Sequence, residues 1–465
     1  MKTDNSTQKN PFKIETVDGD IHTPVSIFQK LEGNNKFLLE SSQAHHDHGR
    51  YSYIGCNPFC EAASFGGELR ISDHKKHHQD LRRETMIDFL EKHIADEMES
   101  KAVPELPFTG GAVGYLGYDS IRQYEDIGAQ QPLDDLQMPD AHFLLYNEMY
   151  IFDHILQVIH LVTRDENSLN RFREMKEVLS RPLPKMEDES LEDLNFESNY
   201  SKEQFTNMVK MAKKAIVAGE VFQVVLSQRF EAAFHGNPFR AYRRLRLSNP
   251  SPYMFYIEFK DYTILGSSPE SLISVRGKEV TANPIAGTRP RGKTEKEDLE
   301  LEIELLNDEK ELAEHRMLVD LARNDVGKVS KIGSVSLASE MTIERFQHVM
   351  HIASKVKGQL KEGTSSLKAL IACLPAGTVS GAPKIRAMQL INTFENRKRG
   401  VYAGSIGYIG FGGNLDMALA IRTMVVKDNR AFIQAGAGIV YDSDPEKEYE
   451  ETKNKAKALM EVYRS

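Results

Sequence analysis

A polar, acidic stretch divides this chain of 465 residues into two parts. The composition turns polar between Arg164 and Glu203, and the sequence PLPKMEDESLEDLNFES lies at the centre of that stretch. Few apolar side chains there could anchor the segment to a core, so it predicts a domain junction near Met186–Asn199. Because the chain is also two to three times as long as a typical domain of roughly 100–200 residues, we expect one domain over residues 1–190 and a second over 200–465.

The two parts carry different local signals. Upstream of the junction, short apolar runs bounded by turn residues predict strands joined by tight turns. Downstream, Ser201 and Gln204 form a capping box that opens a helix ending at Gly219, and VFQVVLSQRF follows as a strand. Further helices are predicted near Asp308–Ala322, Gly381–Phe394 and Pro445–Tyr463, and β-branched or glycine-rich segments at Tyr253–Ile264, Val401–Phe411 and Ala431–Val440. The pattern indicates an α+β fold.

Charge and cysteine content exclude several classes of protein. The chain has 59 Lys and Arg against 68 Asp and Glu, a net charge of −9, which disfavours nucleic acid as a partner. Its three cysteines are too few for a disulfide framework, so we expect a reducing, cytoplasmic setting. We predict neither export nor membrane insertion, because the N-terminus has no apolar core and the most apolar stretch is interrupted by charged residues.

Two predicted helices carry carboxylates at helical spacing. Glu311 and Glu314 share a face with His315 after an Asp308 N-cap, and Glu448, Glu451 and Lys455 follow a second start at Asp444–Pro445. Two carboxylate pairs on separate helices would suit Mg²⁺, which binds through one or two carboxylates, substrate oxygens and waters. The alternative is that both faces are salt-bridged exteriors, and spacing alone leaves both interpretations open.

Other candidate sites are weaker. The small-residue loop Leu374–Met388 could bind an anion at a helix N-terminus or contain glycines only for its turns. The histidine clusters at His45–His48 and at His74, His77 and His78 lie among polar residues without the HExxH spacing of a zinc hydrolase. We interpret both clusters as surface histidines.

Several long motifs resemble the chorismate-utilising enzymes, and among them the large subunits of anthranilate synthases. They include GEVFQVVLSQRF at 219–230, NPSPYMFY at 249–256, SSPESL at 267–272, PIAGTRPRG at 284–292, ELAEHRMLVDLARNDVG at 311–327, PAGTVSGAPK at 375–384 and YAGSIGY at 402–408. The resemblance covers nearly the whole chain. It implies a large fold of antiparallel sheets packed with helices, with an N-terminal regulatory part wrapped onto a C-terminal catalytic part.

The resemblance also implies how a metal and the dianion chorismate are held. Glu314 and Glu451 would bind Mg²⁺ directly, and Glu311 and Glu448 would act through water. The ring carboxylate of chorismate would contact the metal. The other substrate contacts implied by matching motifs are Tyr402, Arg422, Gly436, Gly438, Lys455, Gly287 and Thr378, and Thr288 would line the site.

The implied reaction adds ammonia at ring C2 with loss of the C4 hydroxyl, and then eliminates pyruvate to leave anthranilate. Glu270 matches the acid, whose pKa must be raised by burial or by neighbouring carboxylates. His351 matches the histidine of the elimination step. Gln223 occupies the position of a lysine base in relatives that add water, so an amine nucleophile is favoured. A separate glutamine amidotransferase subunit would supply ammonia, which implies a hetero-oligomer.

Two further expectations follow from the same resemblance. Component I of aminodeoxychorismate synthase is the alternative function, and it often has lysine where this chain has Ala286. The motifs LLESS and NPSPYMFY resemble the two halves of a tryptophan pocket for feedback inhibition. The residues assigned to that pocket are Leu38, Glu40, Ser41, Tyr53, Asn249, Pro250, Ser251, Tyr253 and Met254.

Overall fold

The computed structural model describes residues 12–41, 49–74, 76–95, 106–130, 132–184, 194–346 and 349–463. The strands are β1 Lys13–Asp18, β2 Phe37–Glu40, β3 Tyr51–Gly55, β4 Cys60–Phe65, β5 Glu68–Asp73, β6 His78–Arg82, β7 Gly111–Leu116, β8 Ala141–Tyr146, β9 Glu148–Asp153, β10 Val158–Thr163, β11 Glu197–Ser198, β12 Gln223–Ala233, β13 Tyr253–Glu258, β14 Tyr262–Ser268, β15 Ser271–Arg276, β16 Glu279–Ala282, β17 Ile285–Pro290, β18 Ser336–Arg345, β19 Val349–Gln359, β20 Gly381–Ala382, β21 Ser405–Gly410, β22 Leu415–Leu419, β23 Thr423–Lys427 and β24 Arg430–Ile439.

The helices lie between these strands. They are α1 Pro24–Lys30, α2 Met86–Ala95, α3 Ser168–Ser180, α4 Lys202–Val217, α5 Pro238–Ser248, α6 Glu295–Leu306, α7 Glu309–Val329, α8 Ser366–Cys373, α9 Gly377–Ser380, α10 Lys384–Phe394 and α11 Pro445–Met460. Two 3₁₀ turns cover Tyr118–Gln123 and Glu461–Tyr463. None of the helices in the described ranges is long and apolar enough to cross a membrane.

The strands form two antiparallel sheets of twelve strands each. The first sheet has the order β1-β10-β9-β3-β2-β13-β14-β23-β24-β12-β11, with β20 beside β12. The second has the order β17-β19-β16-β15-β22-β21-β7-β8-β4-β5-β6, with β18 beside β19. The predicted α+β fold of antiparallel sheets and helices is confirmed.

Strands from before and after the acidic stretch pair with each other in both sheets. In the first sheet β2 pairs with β13, so that Leu39 lies opposite Phe255. In the second sheet β7 pairs with β21 along its whole length, from Leu116 opposite Ser405 to Gly111 opposite Gly410. The predicted junction falls partly on residues 185–193, which lie outside the described ranges, and the division at 1–190 and 200–465 stays a prediction.

Local sequence signals fix the helix starts beside the site. Ser201 and Gln204 form the predicted capping box at the start of α4, and Asp444 caps α11 with Pro445 in its first turn. Asp308 accepts hydrogen bonds from the backbone N–H groups of Lys310 and Glu311, as predicted for α7.

Two helix boundaries differ from their predictions. Helix α7 continues to Val329 rather than ending near Ala322, because its apolar face stays buried at Val326 and Val329. Helix α10 begins at Lys384 rather than Gly381, since Gly381 and Ala382 pair with β12 as β20.

Candidate active site

Gln223, the first residue of β12, contacts Glu314 of α7. Its side-chain nitrogen donates to Glu314 Oε1 at 3.0 Å. Its side-chain oxygen, Oε1, is buried without a hydrogen-bond partner among the described residues. Gln223 also lies against Gly438 of β24, where an added Cβ would lie 2.5 Å from Nε2. A side chain at position 438 would therefore displace Gln223 from Glu314.

The first carboxylate pair lies beside β17. A Cβ on Gly287 would come within 3.2 Å of Glu311 Oε2, so this glycine leaves space for the carboxylate. Burial, and then the nearby charge of Glu314, raise the pKa of Glu311. Arg289 approaches Glu311 only to 3.9 Å and makes closer contacts with Glu304 and Asp308. A cation between the two carboxylates would relieve their repulsion.

The second carboxylate pair lies at the start of α11. Burial is the main cause that raises the pKa of Glu448, and the charge of Glu451 adds to it. Lys455 pairs with Glu451 at 2.7 Å and donates to the carbonyl oxygen of Gly436 at 3.0 Å. The charge of Lys310, on α7, also reaches Glu448, which indicates that the two carboxylate-bearing helices begin near each other.

These carboxylates form an open arrangement rather than a closed metal cage. Within the described residues, no group of three or more His, Cys, Asp or Glu side chains converges on one point. The donor set nevertheless fits Mg²⁺, which takes oxygen ligands, keeps several waters and binds proteins through one or two carboxylates. The raised pKa values of Glu311 and Glu448 mark the places where a divalent cation would be stabilised.

A half-buried cation without an ion pair lies beside α11. Burial lowers the pKa of Arg422, and no carboxylate of the described residues lies within ion-pair distance of its guanidinium. Its Nη1 donates to the carbonyl oxygen of Lys455 at 2.8 Å, and its backbone adopts a left-handed φ of 49°. Tyr402 lies close by, and its hydroxyl occupies the space beside Gly436 that a Cβ would need. An anionic group would complete this arrangement.

Glu270 is the buried acid of the site. It lies between β14 and β15, is 8% exposed, and has its pKa raised to about 8 by burial. The neighbouring Thr378 hydroxyl and the charge of Lys455 oppose that shift. The sequence predicts a raised pKa at this position, and burial raises it here. The carboxyl is therefore protonated at neutral pH.

His351 is positioned as a neutral imidazole. Its Nδ1 lies 2.8 Å from the carbonyl oxygen of Gly287 and 3.1 Å from the Thr288 hydroxyl. A carbonyl oxygen only accepts, so Nδ1 carries the proton and Nε2 keeps its lone pair. Burial lowers the pKa of His351, and the charges of Arg422 and Lys455 lower it further.

The other group of sequence-assigned residues surrounds a separate cavity of about 360 Å³. The cavity lies between the two sheets and is lined by Glu40, Ser41, Tyr53, Tyr253 and Met254 of the proposed tryptophan pocket. The Ser41 hydroxyl is buried without a partner among the described residues. The cavity can therefore hold a ligand with a hydrogen-bonding group near Ser41.

Four assigned residues do not line this cavity. Leu38 faces the opposite side of β2, because neighbouring strand residues alternate and Leu39 lines the cavity instead. Asn249, Pro250 and Ser251 form the turn between α5 and β13, and the lining of that wall begins at Pro252. The Glu40 carboxyl also turns away, accepting hydrogen bonds from Tyr242 at 2.6 Å and Arg246 at 2.9 Å.

Sequence analysis missed the polar groups on the far wall. Arg276 of β15 and Asp416 of β22 line the cavity and lie 3.4 Å apart, and the Tyr253 hydroxyl donates to Asp416 at 3.2 Å. They come together because β15 pairs with β22. Residues 140 positions apart offer no local spacing that would predict this contact.

The histidine cluster that lies within the described residues lines neither site. His74, His77 and His78 are exposed around the turn between β5 and β6, as predicted. The cluster at His45–His48 lies outside the described residues.

A large two-sheet fold with a buried acid, a neutral histidine and an arginine without an ion pair defines an enzyme that binds an anion. The sequence pattern of the family of chorismate binding enzymes matches residues 34–461, and the chain belongs to that family. Within it, the chain is similar to anthranilate synthase component 1 of Lactococcus lactis, with 45% identity over 97% of this chain and 99% of that one. The protein of Aquifex aeolicus with the same name is also 45% identical, over 95% of this chain and 92% of its own length.

Solved structures agree with this placement. Anthranilate synthase component I from Streptococcus pneumoniae superposes with a TM-score of 0.82 and 44% identity, covering 96% of this chain and 98% of that one. The isochorismate synthase MenF from Escherichia coli has a TM-score of 0.73 at 19% identity, over 97% and 95% of the two chains, and shares the fold.

Proposed function

We propose that this chain is the large subunit of an anthranilate synthase, converting chorismate and ammonia to anthranilate, pyruvate and water. The main observation behind the proposal is that a protonated acid, Glu270, and a neutral base, His351, both lie near Lys455. The charge of Lys455 reaches both Glu270, which stays protonated at neutral pH, and His351, which stays neutral. The near full-length similarity to anthranilate synthase component 1 proteins supports the same assignment.

Chorismate is a dianion, and each carboxylate has a candidate partner. The unpaired guanidinium of Arg422 and the Tyr402 hydroxyl suit the enolpyruvyl carboxylate, next to the small residues Gly436 and Gly438. Glu314 and Glu451 would hold Mg²⁺ directly, with Glu311 and Glu448 behind them, close to Gly287. When bound, the cation neutralises the ring carboxylate and fixes its orientation.

Amination requires hydroxide to leave from C4. The Glu270 carboxyl donates a proton to that oxygen, which departs as water while ammonia bonds to C2. Ammonia attacks through its own lone pair and needs no base. Gln223 is a neutral amide that already donates to Glu314, so it cannot itself act as a base towards water.

Elimination requires loss of the C2 proton as pyruvate departs. The free Nε2 of His351 accepts that proton, while Gly287 and Thr288 hold the ring through Nδ1. The driving force is aromatisation of the ring. The alternative function is that of aminodeoxychorismate synthase component I. Those enzymes often have lysine at the position of Ala286, so the alanine here favours anthranilate synthase.

Two further properties belong to the proposal. A glutamine amidotransferase subunit would deliver ammonia and form a hetero-oligomer with this chain. Tryptophan would bind the cavity between the sheets and inhibit the enzyme, with Ser41, Tyr53, Tyr253 and Met254 around it. The unpartnered Ser41 hydroxyl and the opposed charges of Arg276 and Asp416 suit an amino acid.

The test is to identify the product. The purified chain is incubated with chorismate, Mg²⁺ and an ammonium salt, with and without tryptophan, and anthranilate is followed by its fluorescence. We expect anthranilate and pyruvate in equal amounts, suppressed by tryptophan. Accumulation of 4-amino-4-deoxychorismate without anthranilate would instead establish the alternative function.

A further inference from the structure

A second, smaller cavity adjoins the Glu270 carboxyl. It measures about 40 Å³ and is lined by Glu270, Thr378, Asn283, Asp325, Leu321 and Ala322, among others. Apart from Glu270 and Thr378, none of the residues assigned above to substrate or metal lines it. The cavity is therefore a compartment next to the acid and separate from the predicted ligands of chorismate.

The walls of this cavity are polar where a small molecule could bind. The side-chain oxygen of Asn283 is buried and has no hydrogen-bond partner among the described residues. Glu270 and Asp325 are 8% and 5% exposed, so both carboxyl groups are almost wholly withdrawn from bulk solvent. A water needs roughly 10–15 Å³ and two to four polar partners, and this cavity offers both.

One wall of the cavity, formed by α7, is partly exposed to solvent. Asp325 pairs with Lys384 at 2.5 Å and with Lys328 at 3.1 Å, and the Lys328 side chain is 51% exposed. Leu321 and Ala322, on the same helix, are only half-buried. Solvent-accessible side chains of α7 therefore lie next to the cavity that holds the acid.

We infer that water in this cavity returns a proton to Glu270 after each turnover, and that Asn283 is the positioning residue that holds this water. The inference rests on the proposed function. In each cycle Glu270 gives one proton to the departing C4 oxygen, which leaves as water. The new C–N bond releases one proton from nitrogen to solvent, and the cavity water passes one back to the Glu270 carboxylate, so the protons balance.

The test compares two substitutions of the same kind. Asn283→Leu replaces the amide with an apolar group of similar size, and Asn147→Leu does so in the turn between β8 and β9, where the side-chain oxygen is also buried and unpartnered. Each variant is assayed with chorismate, Mg²⁺ and ammonium in H₂O and in D₂O. We expect Asn283→Leu to lower kcat by about tenfold or more with little change in KM, since a positioned proton donor contributes about 10²–10⁴ to a rate.

A larger solvent deuterium isotope effect on kcat should accompany the loss, because proton return becomes slow. Asn283→Ser, which keeps an oxygen and leaves room for water, should recover most of the rate. Ala322→Leu fills the cavity from α7 and should act like Asn283→Leu, so the test survives if one variant does not fold.

The outcomes separate this inference from the proposed function. If the wild type forms no anthranilate, the proposed function fails. If the wild type is active but Asn283→Leu behaves like Asn147→Leu, only the proton return is refuted. A raised KM for ammonium with an unchanged isotope effect would also refute it and would indicate a path for ammonia.

Discussion

Replacing the buried acid should remove activity and stabilise the protein at the same time. In Glu270→Gln the side chain keeps its size and loses its charge. The carboxyl has a pKa of about 8 in the folded protein and an ordinary value of 4.5 when exposed. Between these values the unfolded chain ionises while the folded chain stays protonated, so folding must hold a proton that the unfolded chain releases.

The size of the effect follows from that difference. A pH of 7 lies 2.5 units above the ordinary pKa of 4.5. At 1.36 kcal/mol for each unit, the buried carboxyl therefore costs about 3 kcal/mol of folding stability at this pH. Near pH 5 the same cost falls below about 1 kcal/mol. Stability from this group is therefore greatest at low pH and is lost as pH rises from about 4.5 to about 8. Glutamine carries no such dependence.

The assay is urea unfolding of wild type and Glu270→Gln at pH 5 and at pH 7, without added metal. We expect the variant to gain about 3 kcal/mol in unfolding free energy relative to wild type at pH 7 and about 1 kcal/mol or less at pH 5. Glu362→Gln, at an exposed turn, is the matched control and should show no such difference. A gain that is equal at both pH values would refute the raised pKa, whatever happens to activity.

Three further predictions concern the cavity between the sheets and the candidate active site. Ser41→Phe should abolish tryptophan binding while leaving kcat unchanged, because the ring fills the cavity beside the Ser41 hydroxyl; the chain has no tryptophan, so fluorescence of the bound ligand reports binding directly. Arg422→Leu should raise KM for chorismate at least tenfold yet not lower the melting temperature, because it removes a half-buried cation that has no ion pair. Gln223→Lys should form an ion pair with Glu314 and reduce anthranilate formation at least tenfold, and product analysis by chromatography would reveal any addition of water instead.

The sequence predicts local structure best where one residue acts on its neighbours. The N-caps at Ser201, Asp308 and Asp444 depend on bonds to N–H groups two or three residues away, and all three are formed. The start of α10 was predicted wrongly because it depends on a distant strand: Gly381 and Ala382 pair with β12.

The same distinction applies to the sites. The motifs identified Glu270, His351 and the carboxylates of two helices, but spacing gave no indication that Lys455 would reach both the acid and the base. Arg276 and Asp416 were missed because only the pairing of β15 with β22 brings them together. Side chains joined by sheet pairing across more than a hundred residues leave no periodic signal in one sequence.

The charge of the site explains how an acidic protein can be suited to an anion. A chain with net charge −9 repels a dianion at long range, so its attraction must come from nearby groups. Burial removes one negative charge at neutral pH by keeping Glu270 protonated, and no carboxylate of the described residues pairs with Arg422. In the proposed reaction, the same withdrawal from water that costs stability at Glu270 would therefore supply a proton for the leaving group and reduce repulsion of the substrate. For this reason we expect activity and stability to change in opposite directions in Glu270→Gln.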